Sequence, residues 1–179
     1  MENYKIEKEY KMMLKEAEFE LLLSKLPPHE VRIQSNFYYT ASNNMGMRIR
    51  YLNDKYYFTL KHFINNEVRE YEWELLNNDI NDPSITKLLN DLHVDSPRFL
   101  GELKTIRHLF IYDKGELCLD ENEYLGVKDY ELEYELFNPE VDDFKTLEGI
   151  LELGKLNFIT NKITKYQRFK DRLKEVSHD

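Results

Sequence analysis

The chain has 179 residues, of which 41% are hydrophobic and 33% charged, and its formal net charge is −9. This length predicts one domain, spanning 1–179, that buries a core without disulfides. No apolar run approaches the roughly 18 residues that a membrane span needs, and no secretory signal is evident. The negative charge disfavours nucleic-acid binding, which relies on Lys and Arg neutralising phosphates. A single cysteine, Cys118, is typical of the reducing cytoplasm, where we expect the protein.

The aromatic content and the turn-like segments predict a mainly β domain. Tyr occurs 13 times and Phe 10 times, and both residue types favour strands. Only 6 Gly and 5 Pro are present, so long flexible linkers are not expected. Eight strands are predicted, with short connections that suit antiparallel neighbours: 4–12, 34–40, 46–53, 55–63, 67–76, 103–112, 115–121 and 128–137.

Four helices are predicted where apolar residues recur at intervals of three and four. They cover 14–25, 84–93, 141–153 and 162–176. Pro27 and Pro28 end the first helix, and Pro83 begins the second. The last helix has an apolar stripe that is bordered by basic residues at Lys162, Lys165, Arg168 and Arg172. It can therefore dock by its apolar side and present basic groups along one edge.

Five predicted strands carry charged or polar residues on one face and mostly apolar or aromatic residues on the other, because side chains alternate along a strand. The polar rows are Glu7, Glu9 and Lys11; Arg48 and Arg50; Thr59 and Lys61; Glu70, Glu72 and Glu74; and Glu131, Glu133 and Glu135. Two architectures fit: a one-sided sheet with the charges in water, or a closed barrel with the charges inside. The aromatic content of the apolar faces and the sorting of acidic and basic residues onto different strands point towards the barrel, because solvated faces usually intersperse both signs. The spacing alone leaves both architectures open.

A charged barrel interior predicts a bound polyanion with a divalent metal. An eight-stranded barrel has room for one small ligand. Carboxylates bind hard cations such as Mg²⁺, whereas guanidinium groups bind phosphate oxygens. The chain has no phosphate-binding loop, dinucleotide-binding glycine motif or nucleophile elbow. The histidines, 29, 62, 93, 108 and 178, lack zinc-site spacing, and Cys118 is expected to be a buried small residue.

The charged segments, taken in chain order, resemble the CYTH superfamily, the triphosphate tunnel metalloenzymes. Glu7, Glu9 and Lys11 form the family's N-terminal E-x-E-x-K signature. The later segments that resemble family motifs are "MRIRY", "FTLKH", "REYEWEL", "TIRH", "CLDENEYLG", "DYELEYE" and the closing "TKYQRF". The ordered set carries the resemblance, and it runs through most of the chain. It implies an eight-stranded antiparallel barrel, open at both ends, with flanking helices.

The resemblance also implies the roles of individual residues. Divalent metal, Mg²⁺ or Mn²⁺, is bound by Glu7, Glu9, Asp120, Glu131 and Glu133, with Glu70 and Glu72 completing the acidic side. Phosphates are held by Lys11, Arg48, Arg50, Lys61, Arg107, Lys165 and Arg168. The catalytic set implied is Glu7, Glu9, Lys11 and Glu133. One departure is that family members often have K-x-R on the strand that ends here in Arg107, whereas Thr105 occupies the lysine position.

The resemblance predicts that the protein hydrolyses a small triphosphate, most plausibly inorganic triphosphate, with the help of a divalent metal. Two alternatives stay open: a class IV adenylate cyclase that converts ATP to cyclic AMP and pyrophosphate, and a module that binds triphosphate or polyphosphate without turnover. The expected partner is the small triphosphate alone, with no nucleic acid and no membrane. The sequence leaves monomer and homodimer equally open.

Overall fold

The structure is a computed structural model that describes residues 4–42 and 44–177. Within these residues the chain forms nine strands and four helices. The strands are β1 Lys5–Glu7, β2 Glu9–Leu14, β3 Glu30–Tyr39, β4 Met45–Leu52, β5 Lys55–Ile64, β6 Glu67–Leu75, β7 Phe99–Ile111, β8 Gly115–Tyr124 and β9 Val127–Leu136. The helices are α1 Glu16–Lys25, α2 Pro83–Asp91, α3 Phe144–Leu153 and α4 Lys165–Val176. None of these described helices is long and apolar enough to cross a membrane.

The strands form one sheet that the N-terminal segment closes into a nearly complete barrel. The strand order is β1-β6-β5-β4-β3-β7-β8-β9-β2, and all neighbours are antiparallel. β1 and β2 are consecutive in the chain but stand at opposite ends of this order. The predicted strand 4–12 is therefore split at Lys8, whose carbonyl accepts a hydrogen bond from Leu136 N at 2.9 Å. This split explains why the described chain has nine strands where eight were predicted.

The hydrophobic core lies mainly outside the barrel, between the sheet and its helices. Leu117, Leu119 and Leu132 are fully buried beneath α1 and α3. A second cluster joins β4, β5 and β6 to α2, with Phe58 and Leu60 fully buried. Each such side chain contributes about 1.5–3 kcal/mol when it leaves water. The apolar rows therefore face outward under the helices and the charged rows face inward, which confirms the barrel and excludes the one-sided sheet.

Helix α4 closes one end of the barrel with aromatic side chains. Tyr166 and Phe169 are buried against Tyr38, Leu103 and Tyr124 of the barrel wall, forming a small third cluster. Tyr166 also donates a hydrogen bond from its hydroxyl to the carbonyl of Tyr39 at 2.8 Å. Helix α4, called the plug helix below, therefore inserts its apolar side into the barrel, and its first basic residue, Lys165, reaches the interior.

The predicted elements are confirmed, with shifted ends. The first helix begins at Glu16 rather than 14, because Leu14 still pairs with Tyr130 in the sheet. The second predicted strand begins at Glu30 rather than 34, and the third predicted helix begins at Phe144 rather than 141. The last helix starts only at Lys165, where the hydroxyl of the preceding residue, Thr164, accepts a hydrogen bond from Gln167 N at 3.1 Å.

Candidate functional site

The barrel encloses a cavity of about 410 Å³. All five polar rows, from β1–β2, β4, β5, β6 and β9, reach it, together with Lys165 and Tyr166 of α4. The predicted site residues that line the cavity are Glu7, Glu9, Lys11, Arg48, Arg50, Lys61, Glu70, Glu72, Arg107, Glu133 and Lys165. Residues from seven strands and one helix therefore converge on one space.

Two arginines of β4 lie in the cavity without an acidic partner. The Nε of Arg48 is buried and has no hydrogen-bond partner. The Nε of Arg50 donates to the amide oxygen of Asn36 at 3.1 Å, and no carboxylate of the described residues forms an ion pair with either guanidinium. Burial, and then repulsion from Arg48 and Arg107, lower the pKa of Arg50 to about 10. Two crowded cations without counter-ions form a site that favours an anion.

The lysines that face the acidic N-terminal strands are already paired. Lys61 Nζ lies 2.6 Å from Glu7 Oε1 and 3.8 Å from Glu70 Oε1. Although burial opposes ionisation, Glu7 and Glu70 raise the pKa of Lys61. Lys11 Nζ donates to Glu9 Oε1 at 2.9 Å. Burial, and then the neighbouring Glu133 and Glu7, raise the pKa of Glu9. In this corner of the cavity three carboxylates, Glu7, Glu9 and Glu70, share the two lysines.

The ammonium of Lys165 lies among three carboxylates. Its Nζ is 2.6 Å from Glu133 Oε1, 2.9 Å from Asp120 Oδ2 and 3.1 Å from Glu131 Oε1. Burial opposes its charge, but these three carboxylates raise the pKa of Lys165. Lys165 and the nearby Arg107 together hold the pKa of Glu133 and the pKa of Asp120 below the usual range, although both carboxylates are buried. In contrast, burial raises the pKa of Glu131.

Arg107 joins this cluster from β7 through a bidentate ion pair. Its Nε lies 2.8 Å from Asp120 Oδ1 and its Nη2 lies 2.7 Å from Asp120 Oδ2, and Nη2 also contacts Glu133 Oε2 at 2.7 Å. The side chain of Asp120 is fully buried. A fork of this kind fixes the guanidinium plane, so Arg107 is held by carboxylates rather than left unpaired like Arg48.

Three predicted site residues do not line the cavity. Asp120 and Glu131 are fully buried in the wall behind Lys165. Arg168 is directed at the wall, where its guanidinium binds Asp129 and contacts Glu131. Within the described residues no group of three or more His, Cys, Asp or Glu side chains has an arrangement that holds a metal ion. Its acidic groups are instead linked by Lys61, Lys165 and the arginines.

Several cavity residues were missed in the sequence. Those from the barrel wall and its mouth are Lys5, Arg32, Gln34, Asn36, Tyr38, Tyr57, Glu116 and Glu135. The prediction 34–40 missed the first part of β3, where Ser35 separates Val31 and Ile33 from Phe37 and Tyr39 on the outer face. The signal that could have located it is the polar row of Arg32, Gln34 and Asn36 at a spacing of two.

The residues predicted to have ordinary roles lie away from the cavity. His29 Nε2 and His108 Nδ1 are 2.7 Å apart on the outer surface, and burial, with His29 nearby, lowers the pKa of His108. His62 lies on β5, His93 follows α2, and His178 lies outside the described residues. Burial raises the pKa of the Cys118 thiol, which is 2% exposed. A protonated, enclosed thiol is a poor nucleophile.

Comparison with known proteins agrees with this arrangement. In Bacillus subtilis strain 168, the "Putative triphosphatase YjbK" is 29% identical over 148 residues, covering 73% of this chain and 77% of that protein. A crystal structure from Bacillus halodurans, of "a putative adenylate cyclase (bh2851)", is 27% identical with a TM-score of 0.80, covering 94% of this chain and 99% of that one.

A second solved structure shares the fold at lower identity. It is the "Putative adenylyl cyclase HpAC1" from Hippeastrum, described as revealing a dominant triphosphatase activity. It is 22% identical with a TM-score of 0.75, and it covers 92% of this chain and 95% of its own. The family model described as "CYTH domain" matches residues 5–162, which include every predicted site residue of the barrel strands. The chain belongs to the CYTH domain family.

Proposed function

We propose that the protein hydrolyses a small triphosphate, most plausibly inorganic triphosphate, inside the barrel with the help of a divalent metal. The observation that carries this proposal is the pair of guanidiniums, Arg48 and Arg50, which lie in the cavity without an acidic partner. A flexible polyanion supplies the negative charge that these groups lack. The names of the Bacillus subtilis and Hippeastrum relatives support the same activity.

The cavity also offers carboxylate oxygens to a hard divalent cation, which would have to draw them together, because no three of the described carboxylates converge on one point in this structure. Glu7 Oε2 is buried and has no hydrogen-bond partner, and the pKa of Glu9 is raised by burial and by neighbouring carboxylates. Oxygen donors with surplus negative charge are what Mg²⁺ and Mn²⁺ prefer. We therefore assign metal binding to Glu7, Glu9 and Glu133, with Asp120 and Glu131 supporting them from the wall. A bound metal would neutralise charge that builds on the transferred phosphoryl group.

The chain's own residues divide the remaining work. Arg48 and Arg50 bind the phosphate chain, and their fixed position on β4 orients it along the cavity. Lys61 lies on β5, between the arginines of β4 and the acidic residues of β6 and β1, whereas Lys11 lies beside Glu9 on β2. Each lysine can contact phosphate while it keeps its carboxylate. The carboxylates of the acidic corner orient water in line with the bond that breaks. Lys165, at the end of the barrel that α4 closes, keeps its positive charge close to Glu133.

Adenylate cyclase chemistry is the second candidate, and the Bacillus halodurans structure named as an adenylate cyclase favours it. Attack by the ribose 3′-hydroxyl on the α-phosphate would use the same arginines to hold the triphosphate. Nothing in the sequence marks a purine pocket, so this candidate ranks second. A binding module without turnover is the third, because fold alone does not determine function.

A substrate panel separates the three candidates. Tripolyphosphate, ATP, GTP and thiamine triphosphate are each incubated with Mg²⁺ or Mn²⁺, and phosphate, pyrophosphate and cyclic AMP are measured. Phosphate release supports the hydrolase, whereas pyrophosphate with cyclic AMP would replace it by the cyclase. Binding by calorimetry without any product would identify a sensor. Arg50→Ala is the matched variant, and Arg98→Ala, at an exposed arginine outside the cavity, is its control.

A further inference from the structure

The side chain of Asp129 accepts hydrogen bonds from three different residues. Its Oδ2 accepts from Arg168 Nε at 2.9 Å and from the hydroxyl of Tyr124 at 2.7 Å. Its Oδ1 accepts from Asn122 Nδ2 at 2.9 Å and, more weakly, from Arg168 Nη2 at 3.4 Å. Asp129 begins the segment "DYELEYE", but no role was predicted for it from the sequence.

The network continues from Asn122 to the wall of the cavity. Thr105 donates from its hydroxyl to Asn122 Oδ1 at 2.7 Å, and the two residues face each other across β7 and β8. Asn122 is fully buried and Thr105 is 2% exposed. Thr105 is the residue that occupies the usual lysine position of the family. In this chain its side chain therefore completes a chain of hydrogen bonds that runs from the cavity wall to the plug helix.

Arg168 connects this network to the predicted site. It lies one turn after Lys165 on the same side of α4, since residues three apart are neighbours on a helix. Its guanidinium binds Asp129 on one side and contacts Glu131 on the other, while Nη1 donates to the carbonyl of Ile163 at 3.1 Å. These contacts fix the rotation of the first turn of α4 about the helix axis, and they also fix how far the helix enters the barrel.

We propose that Asp129 is a positioning residue that, together with Asn122 and Thr105, holds Arg168 and so keeps Lys165 at Glu133 and Asp120. Tyr166 and Phe169 already seat α4 in the barrel end, and the Tyr166 hydroxyl donates to the Tyr39 carbonyl, but none of these contacts orients the edge that carries Lys165 and Arg168. Directional, charge-assisted hydrogen bonds supply that orientation. The inference rests on the proposed function only where it concerns triphosphate binding.

The test begins with amide hydrogen exchange, which needs no substrate. Asp129→Ala should speed exchange in the first turns of α4 while β3 to β6 stay as protected as in wild type. Asp129→Asn should show exchange between that of Asp129→Ala and wild type, because the amides of residues 122 and 129 can turn over and keep the hydrogen bonds from Thr105 to Arg168 Nε, whereas the ion pair and the contact with Arg168 Nη2 are lost. Glu123→Ala removes an exposed carboxylate from the same hairpin and is the matched control.

Kinetics with tripolyphosphate form the second arm. We expect Asp129→Ala to raise KM about tenfold with a smaller change in kcat. In a protein that already carries Lys165→Ala, the same substitution should raise KM less than about twofold further, because the effects of coupled residues are not additive. Asp129→Asn should stay within about threefold of wild type.

Unchanged exchange in α4, faster exchange throughout the barrel, or full additivity with Lys165→Ala would each overturn the positioning role. If wild type hydrolyses no triphosphate, the proposed function fails, and the exchange experiment alone still decides the inference.

Discussion

Lys61 on β5 reaches past β6 to place its ammonium 2.6 Å from Glu7 Oε1 on β1. The side chain of Glu7 is 3% exposed, so Lys61 is the partner that this buried carboxylate contacts. The pair links the strand that closes the barrel to the basic side of the cavity. A partner for Glu7 is therefore needed for stability and also for the charge balance of the site.

Replacing Lys61 by Ala should destabilise the fold, because Glu7 would be left buried without its cation. We expect a loss of about 2–3 kcal/mol in the free energy of unfolding. Lys55→Ala is the control on the same strand, since its pair with Glu74 is half exposed on both sides and should cost under about 1 kcal/mol. Urea denaturation of both variants measures the difference. Equal losses would show that the Lys61 pair is no stronger than a surface pair.

Glu9→Gln should nearly abolish turnover without unfolding the protein. Glutamine keeps an oxygen for Lys11 and removes a charge that burial and the nearby Glu133 and Glu7 disfavour. We expect the melting temperature in EDTA to equal or exceed that of wild type, and the activity to demand much more Mn²⁺. Thermal melts and metal titrations of activity check both results. Glu148→Gln, on an exposed position of α3, is the control.

Arg50→Ala should weaken stabilisation by tripolyphosphate while it leaves the unliganded protein intact. A ligand that binds only the native state at 100 times its Kd adds about 2.7 kcal/mol to stability. Removing Arg50 also relieves its repulsion with Arg48 and Arg107, so the melting temperature without ligand should change little. A ligand-induced shift as large as that of wild type would remove Arg50 from the binding site. Arg98→Ala should keep the full shift.

The sequence was informative where alternation is local. In "REYEWEL" and "YELEYEL" a period of two assigns each side chain to a face. The cavity is lined by Glu70, Glu72, Glu133 and Glu135 of these rows, whereas Glu131 is buried in the wall and Glu74 is exposed. The local pattern could not predict which charged side chains form ion pairs with one another. Arg168 binds Asp129 and Glu131 because the plug helix enters beside β9, a contact between segments far apart in the chain.

The opening strand shows the same limit. "IEKEYK" was predicted as one strand, and its parity is preserved, since Glu7 and Glu9 both face the cavity. The break at Lys8 arises because the segment must leave one edge of the sheet for the other when it closes the barrel. Closure of the barrel is a property of the whole sheet, so the residues near Lys8 give no local signal of the break.

Cys118 should not react with thiol reagents in the native protein. The side chain is 2% exposed and burial raises the pKa of its thiol, so little thiolate forms and reagents cannot reach it. Absorbance assays with an aromatic disulfide should show no labelling in buffer and one thiol per chain in guanidinium chloride. Rapid labelling without denaturant would mean that β8 opens far more often than its burial indicates.

Gly101 and Gly149 should respond in opposite ways to the same substitution. An added Cβ at Gly101 would lie 2.7 Å from the ring of Phe169, and the backbone there has φ +149, so Gly101→Ala must push the plug helix out or strain the strand. Gly149 lies on α3 with nothing near its Cβ position, so Gly149→Ala should stabilise the helix by about 0.5–1 kcal/mol. We expect Gly101→Ala to cost about 1–3 kcal/mol, as overpacking usually does. Its KM for tripolyphosphate should also rise, because Lys165 is carried on the displaced helix. Thermal melts and steady-state kinetics of the two variants test this, and a Gly101→Ala protein with wild-type stability and KM would show that α4 does not need its close approach to β7.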